Sequence, residues 1–301
     1  MRKTTSIDEQ FLQVNGVRLW TARQGSGPPL ALIHGGPGLW DYFDELAALI
    51  DDRVEVHRYD QRGGGRSQHQ PPYDVATFVA DLEALRVHWG HERWIVAGHS
   101  WGADLALAYA AEHPERTSAI LYLNGTGVVE DWHDEYHENA DARRTPAERA
   151  RRLELRAMLK ADETLPVELD REYCVLTWMA DYADSRRGRQ YAERLLRPYG
   201  PNYALNADLN ADWSRLQADD AFVRRVHEIA APVLIMHGAE DPRPPHLAER
   251  LTASLPNAKL DIVPNAGHLP WVEQPERSRD ALRTFLASVG GPVATNAASG
   301  R

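Results

Sequence analysis

The pentapeptide Gly98-His99-Ser100-Trp101-Gly102 decides the fold of this 301-residue chain, because it joins a strand pattern to a helix pattern. The apolar run 93–97 before it predicts a buried strand, and the Ala- and Leu-rich run 101–112 after it predicts a helix. A strand, a sharp turn and a helix in this order expose the serine beside a helix N-terminus. Glycines at 98 and 102 omit side chains that would strike the neighbouring strand and helix. Ser100 is therefore the candidate nucleophile.

Strand and helix patterns alternate on both sides of this turn. Residues 11–14 and 17–20 flank Asn15-Gly16, a dipeptide typical of a tight hairpin turn. Further strand patterns occupy 29–33, 54–59, 119–123, 232–236 and 259–263. Helical spacing marks 74–89 and 276–288. This alternation predicts an α/β fold with a mostly parallel sheet and helices on both of its faces.

A charged stretch without a convincing strand, residues 126–230, interrupts the alternation. Within it, Thr145-Pro146-Ala147-Glu148 is a capping box that opens a predicted helix, on which Glu148 and Arg152 are expected to pair. We therefore predict a first core part at 1–125, a helical cap insertion at 126–230, a second core part at 231–289, and a flexible tail at 290–301.

The overall charge and the termini limit the classes of partner and location. A formal net charge of −10 argues against nucleic acid and against anionic membranes as partners. The single cysteine, Cys174, allows no intramolecular disulfide and suits a reducing compartment. The N-terminus lacks the apolar core of a signal peptide, and no stretch approaches the ~18 apolar residues of a membrane span, so a cytoplasmic location is expected. The oligomeric state is left open.

A serine hydroxyl needs a general base, and the loops after the last two predicted strands supply a base and an acid. His268 follows the strand at 259–263, and Asp241 follows the strand at 232–236. Loops at the carboxyl ends of parallel strands carry function in open α/β sheets. The chain order Ser100, Asp241, His268 matches that expected for this kind of sheet. Glu240 is the alternative acid.

The remaining site predictions concern the oxyanion and the substrate pocket. Backbone N–H groups of Trp101 and Gly36 are expected to bind the oxyanion, with Gly35 as the alternative to Gly36. This chemistry requires no metal and no cofactor. His133 and His137 are four residues apart, but their acidic surroundings favour a solvated helix face over a metal site. Gly35 and three aromatic residues of the insertion are candidates for the substrate pocket, the latter being Trp132, Trp178 and Trp213.

The motifs together resemble the α/β-hydrolase superfamily, and in particular its proline iminopeptidase-like branch. The matching pieces are His-Gly-Gly-Pro-Gly at 34–38, Asp-Gln-Arg-Gly-Gly-Gly-Arg-Ser at 60–67, Gly-His-Ser-Trp-Gly at 98–102 and Gly-His at 267–268. The likeness covers nearly all of residues 10–285. It implies a lid over the active site and cleavage of amides or esters. Peptidases of this branch read a free N-terminal amine with lid glutamates, and some carry an acid beside the triad aspartate, where this chain has Pro242.

The sequence thus predicts a serine hydrolase that works through an acyl-enzyme on a small molecule or a short peptide. The first candidate is a proline iminopeptidase-like aminopeptidase, and the alternative is a carboxylesterase or lactonase for a small apolar acyl group. A third candidate, from another class, is a receptor that has kept the pocket without catalysis. The peptidase requires carboxylates beside Ser100 that bind an ammonium group, and this requirement separates the first two candidates.

Overall fold

Eight strands form one sheet in the part of the chain that the computed structural model describes, residues 6–129, 131–162 and 165–290. The strands are β1 (Asp8–Val14), β2 (Val17–Gly25), β3 (Pro29–Ile33), β4 (Glu55–Tyr59), β5 (Trp94–His99), β6 (Thr117–Leu123), β7 (Val233–Gly238) and β8 (Ala258–Val263). Their order is β1-β2-β4-β3-β5-β6-β7-β8, antiparallel up to β4 and parallel beyond it. The predicted fold class is confirmed. Most of the predicted tail, residues 291–301, lies outside the described residues.

Helices cover both faces of the sheet. They are α1 (Asp44–Ile50), α2 (Val75–His88), α3 (Trp101–Glu112), α4 (His133–Ala142), α5 (Pro146–Asp162), α6 (Val167–Trp178), α7 (Ser185–Leu195), α8 (Tyr203–Gln217), α9 (Asp220–His227), α10 (His246–Ser254), α11 (Pro270–Glu273) and α12 (Pro275–Val289). One apolar layer packs α2, α3 and α10 against the sheet, and the other packs α1 and α12. No helix in the described part of the chain is long and apolar enough to cross a membrane.

Local sequence explains several of these boundaries. Asn15 and Gly16 both have positive φ, 45° and 73°, as the tight hairpin turn between β1 and β2 requires. Asp74 caps α2, where its carboxylate accepts a hydrogen bond from the backbone N–H of Thr77 at 2.7 Å. Ser100 separates β5 from α3, so the predicted strand, turn and helix are all present.

The capping box of α5 is confirmed, but the ion pair predicted on that helix is wrong. The Thr145 N–H donates to the Glu148 carboxylate at 2.9 Å, and the Glu148 N–H donates to the Thr145 hydroxyl at 3.3 Å. Glu148 pairs with Arg189 of α7 instead of Arg152. Arg152 is buried and points to Asp141 of α4. The helix therefore turns Arg152 toward its neighbours, while Glu148 reaches back to the cap.

Helices α4 to α9 fill the described part of residues 126–230, and they do not all lie in one place. Residues of α6 and α7 pack in the layer that contains α1 and α12, whereas α8 and α9 pack against α2 and α3. Trp213 of α8 meets Trp101 edge to face with ring centroids 5.7 Å apart. Residues of α8 and α9 thus share the core of the sheet. The division into core and cap stays a prediction.

Candidate active site

Ser100 lies at the sharp turn between β5 and α3. Its backbone has φ 55° and ψ −127°, a conformation that non-glycine residues rarely adopt and that costs free energy. A side chain on residue 98 would collide with the Gly102 carbonyl oxygen, and one on residue 102 would collide with the Ile33 carbonyl oxygen at the end of β3. The two glycines therefore allow the close packing that holds Ser100 in this strained position.

His268 and Asp241 come together at the same edge of the sheet. His268 Nδ1 donates a hydrogen bond to Asp241 Oδ2 at 2.6 Å. Ser100 and His268 line one cavity, although no hydrogen bond joins the Ser100 hydroxyl to His268 among the described residues. Such bonds are often long in a free enzyme and shorten in the complex with substrate. The structure thus gathers the three residues that sequence analysis selected.

Asp241 is fully buried, and its surroundings keep it ionised. Burial by itself raises the pKa of a carboxyl group, but the charge of His268, its hydrogen bond and the charge of Arg243 together hold the pKa of Asp241 well below its ordinary value. The Asn124 side-chain amide also donates to Asp241 Oδ2, at 2.7 Å. A charged acceptor is thus fixed behind the His268 ring. Glu240, the alternative acid, accepts instead from the backbone N–H of Ala266 at 2.9 Å.

The loop after β3 distinguishes the two glycines proposed for the oxyanion. The Gly35 N–H already donates to the Tyr42 hydroxyl at 2.8 Å, whereas Gly36 lines the cavity with φ 54°. This arrangement favours Gly36. His34 is buried, and its Nε2 accepts from the backbone N–H of Gln61 at 3.0 Å. His34 therefore braces the loop.

Tyr42 and His99 connect this loop to the main chain of His268. Burial, and next the charge of His268, hold the pKa of His99 well below its ordinary value, so its imidazole is neutral. The Tyr42 hydroxyl donates to His99 Nδ1 at 2.6 Å, and His99 Nε2 donates to the His268 carbonyl at 2.8 Å. One chain of hydrogen bonds thus runs from Gly35 to the backbone of His268.

We expect Tyr42→Phe to lower the free energy of unfolding by about 2 kcal/mol and kcat/KM by about tenfold. The change leaves the Gly35 N–H and His99 Nδ1 without their shared partner, and each buried unpaired group costs about 1–3 kcal/mol. The matched control is Tyr59→Phe, because the buried Tyr59 hydroxyl has no hydrogen-bond partner among the described residues. Urea unfolding and ester hydrolysis measure both variants. Equal losses in the two would show that the Tyr42 network has no special role.

The cavity above Ser100 has a volume of about 140 Å³ and a mostly apolar wall. Trp178 lies in this wall, as predicted for the pocket. Trp132 and Trp213 are not among the residues that line it: Trp132 stacks on His133, and Trp213 lies behind Trp101. Gly35, also predicted for the pocket, is not among the lining residues either, and a side chain at this position would collide with Ser100 Cβ.

An ion pair stands in this cavity between the insertion and the sheet. Arg243 Nη1 lies 2.8 Å from Asp181 Oδ1 and 3.4 Å from Asp241 Oδ1. The guanidinium also lies over the Tyr136 ring, 4.7 Å from its centroid, a cation–π geometry. Asp181 is the one carboxylate in the wall that the described residues form. Its charge is therefore neutralised inside the cavity.

The family follows from a match over most of the chain. A family model described as the alpha/beta hydrolase fold matches residues 28–275, a span that includes Ser100, Asp241 and His268. The chain belongs to the α/β-hydrolase fold family. Among curated proteins, this α/β hydrolase is similar to a proline iminopeptidase of Xylella fastidiosa. The two are 31% identical over an alignment of 303 positions, gaps included, that covers 90% of this chain and 94% of the relative. A proline iminopeptidase of Lactobacillus helveticus is 28% identical over 278 residues, 86% and 90% of the two chains. The chain thus falls in the proline iminopeptidase-like branch.

Solved structures with the same fold belong to proteins with more varied names than the curated relatives. A thermophilic esterase from Thermogutta terrifontis gives a TM-score of 0.71 at 21% identity, over 94% of this α/β hydrolase and all of that chain. A proline iminopeptidase from Mycobacterium smegmatis gives a TM-score of 0.66 at 21% identity, over 94% and 99% of the two chains. At these identities the likeness concerns the fold alone.

Sequence reasoning missed three residues of this α/β hydrolase site: Tyr42, Asn124 and Arg243. Asn124 directly follows β6, the same signal that selected Asp241 and His268 after β7 and β8. Arg243 is two residues from Asp241, so the same loop also contained it. Tyr42 lies in a stretch without a motif, and nothing in the sequence indicated its contact with His99.

Proposed function

We propose that the chain is a serine hydrolase that cleaves an ester or amide of a small, neutral acyl group through an acyl-enzyme. One observation carries this proposal. Ser100, whose backbone is strained, shares a cavity with His268, and His268 Nδ1 is hydrogen-bonded to the buried Asp241 carboxylate. Backbone strain at a partly buried serine, beside a histidine held by a charged acceptor, is typical of an activated nucleophile.

The mechanism follows from these positions. Ser100 Oγ attacks the carbonyl carbon while His268 Nε2 takes its proton, and Asp241 stabilises the resulting imidazolium. Backbone N–H groups of Trp101 and Gly36 donate to the oxyanion. His268 then protonates the leaving group, and a water molecule activated by His268 releases the acyl group from Ser100.

The size of the cavity supports a small acyl group. A dry cavity of about 150 Å³ admits a molecule such as benzene, so about 140 Å³ suits a short acyl chain or a single ring. Trp40, Trp178 and Leu269 make the wall apolar. We therefore favour small ester, lactone or amide substrates over long peptides.

The charge of the cavity favours one of the two enzymatic candidates. An aminopeptidase must bind an ammonium group, but Asp181, the one carboxylate in the described wall, is already paired with Arg243 at 2.8 Å. Placing a second cation there brings two like charges together in a desolvated site, which is unfavourable. This observation supports the esterase or lactonase reading ahead of the aminopeptidase.

Pre-steady-state hydrolysis of p-nitrophenyl acetate tests the proposal. We expect a burst of p-nitrophenol equal to one equivalent of protein or less, because acylation of Ser100 precedes slower release by water. Phenylmethylsulfonyl fluoride should abolish turnover and add one sulfonyl group, which peptide mass spectrometry places on Ser100. Tight ligand binding without turnover would instead favour the receptor.

The second candidate is a proline iminopeptidase-like aminopeptidase. The relatives named proline iminopeptidase favour it, and so does the presence of Asp181 in the cavity wall. In this reading the Asp181 carboxylate contacts the substrate amine once the Arg243 guanidinium moves aside.

We expect Arg243→Gln to raise the ratio of kcat/KM for proline p-nitroanilide to that for p-nitrophenyl acetate by about tenfold. The variant removes the cation beside Asp181, and about 1.4 kcal/mol of recovered attraction for an ammonium group corresponds to a factor of ten. Any loss of kcat/KM caused by removing the contact between Arg243 and Asp241 affects both substrates equally and cancels in the ratio. Arg187→Gln, on α7 outside the cavity, is the control. An unchanged ratio would show that the Asp181 carboxylate does not bind the ammonium group of the substrate.

A further inference from the structure

Three side chains with metal-binding atoms converge far from Ser100: Glu55, His57 and His91. Among the described residues they form the one group of three histidine, cysteine or acidic side chains whose ligand atoms all lie within 4.8 Å of one another. Glu55 and His57 alternate along β4, so they share one face of the sheet, and His91 comes from the loop between α2 and β5. The group joins two segments that are distant in sequence.

The group lies at the opposite end of the sheet from the candidate active site. Glu55 is level with Pro29 at the start of β3, whereas Ile33 at its end is level with Gly98. Measured along the strand direction, Glu55 and Ser100 are six residues apart in register. This corresponds to roughly 20 Å at about 3.3 Å per residue. A ligand bound here therefore does not contact the hydrolytic cavity.

The separations between the three ligand atoms match a tetrahedral metal site. His57 Nε2 lies 3.0 Å from His91 Nε2 and 3.1 Å from Glu55 Oε2, and His91 Nε2 lies 3.8 Å from Glu55 Oε2. Zinc binds imidazole nitrogen and carboxylate oxygen at about 2.0–2.2 Å, so two corners of its tetrahedron lie about 3.3–3.6 Å apart. The observed separations bracket this value.

The surroundings hold these side chains in place. His57 is 1% exposed, and its ring packs on Trp89 with centroids 4.4 Å apart. The His91 carbonyl accepts a hydrogen bond from the Arg86 guanidinium, which fixes the loop. His57 Nε2 points at the other two ligand atoms, while its Nδ1 is buried without a hydrogen-bond partner in the described part of the chain.

We propose that Glu55, His57 and His91 form a zinc site that ties β4 to the loop preceding β5. Two imidazoles and one carboxylate are a ligand set that Zn²⁺ accepts, with water as the fourth ligand. The side chains of Glu55 and His91 are 26% and 19% exposed, so water reaches the open side. The site is structural and independent of the proposed hydrolase.

Calorimetric titration of the full chain with ZnCl₂ tests this assignment. The protein is purified without a polyhistidine tag and treated with a chelator first. We expect one Zn²⁺ per chain and a higher thermal midpoint with zinc, and a tetrahedral absorption band when Co²⁺ replaces it. His91→Gln and Glu55→Gln should each weaken binding by about 100-fold or more, since even losing a supporting contact to a ligand costs about 10–100-fold.

His88→Gln is the matched control, because His88 is an exposed histidine at the end of α2, three residues before His91. It should bind zinc like the wild type. No saturable binding in the wild type, or equal binding in His91→Gln and Glu55→Gln, would overturn the assignment. The burst of p-nitrophenol should be unchanged in both ligand variants, so this result and the outcome of the hydrolase test can be told apart.

Discussion

Ser100→Ala is expected to lower kcat for p-nitrophenyl acetate by about 10⁶ and to abolish the burst. Without Oγ no acyl-enzyme forms, and only the residual effect of binding and of the oxyanion N–H groups is left. Alanine keeps the Cβ that contacts the Gly35 region, so the turn and its neighbours keep their packing. Stopped-flow absorbance measures the burst, and thermal unfolding verifies that the variant is folded.

Ser254→Ala is the control for Ser100→Ala. The Ser254 hydroxyl donates to the Leu251 carbonyl within α10 and takes no part in the cavity. Its rate should match that of the wild type. If Ser100→Ala kept turnover within tenfold of the wild type, another group would be the nucleophile and the proposed mechanism would fail.

The second large effect is expected at Asp241. Asp241→Asn should lower kcat/KM by about 10⁴, because the asparagine amide presents a donor to His268 Nδ1 and favours the tautomer that cannot accept the serine proton. The side chain keeps its size and the Oδ1 that accepts the Arg243 backbone N–H at 2.9 Å, whereas an amide nitrogen in place of Oδ2 loses the hydrogen bond from Asn124. Ester hydrolysis and urea unfolding are measured on the same preparation.

Glu240→Gln separates the two acids that the sequence left open. Glu240 accepts the Ala266 N–H at 2.9 Å and does not contact His268, so a glutamine that preserves this bond should change kcat/KM less than threefold. A loss of about 10⁴ in Glu240→Gln, with a small effect in Asp241→Asn, would reverse the assignment of the acid.

The parts of the fold that sequence predicted are those that local rules determine. Asn15-Gly16, the capping box at Thr145 and the apolar strands each carry their own signal within a few residues. The parallel arrangement then brings the ends of β5, β7 and β8 to one edge, which explains why Ser100, Asp241 and His268 were predicted to meet.

The remaining features depend on contacts between distant segments. The partner of Arg152 is Asp141 of the preceding helix α4, whereas helical spacing alone pointed to Glu148. The aromatic residues of the insertion look equivalent in sequence, yet Trp178 lines the cavity and Trp213 does not, since α6 and α8 pack on different sides. The pairing of Arg243 with Asp181 joins two segments that are 62 residues apart in sequence.

The segment around Asp181, which supplies the carboxylate of the cavity wall, also holds the loop that carries His268. The backbone N–H of His268 donates to the Asp181 carbonyl at 2.6 Å, and Glu273 accepts from the backbone N–H groups of both Ala183 and Gly267. In the proposed mechanism His268 is the general base, so moving the segment around Asp181 to admit a bulky molecule would break the hydrogen bonds that hold this base in place. The arrangement of Ser100 and His268 would then be lost whenever the segment around Asp181 opens. This loss would limit attack by Ser100 on molecules other than the substrate.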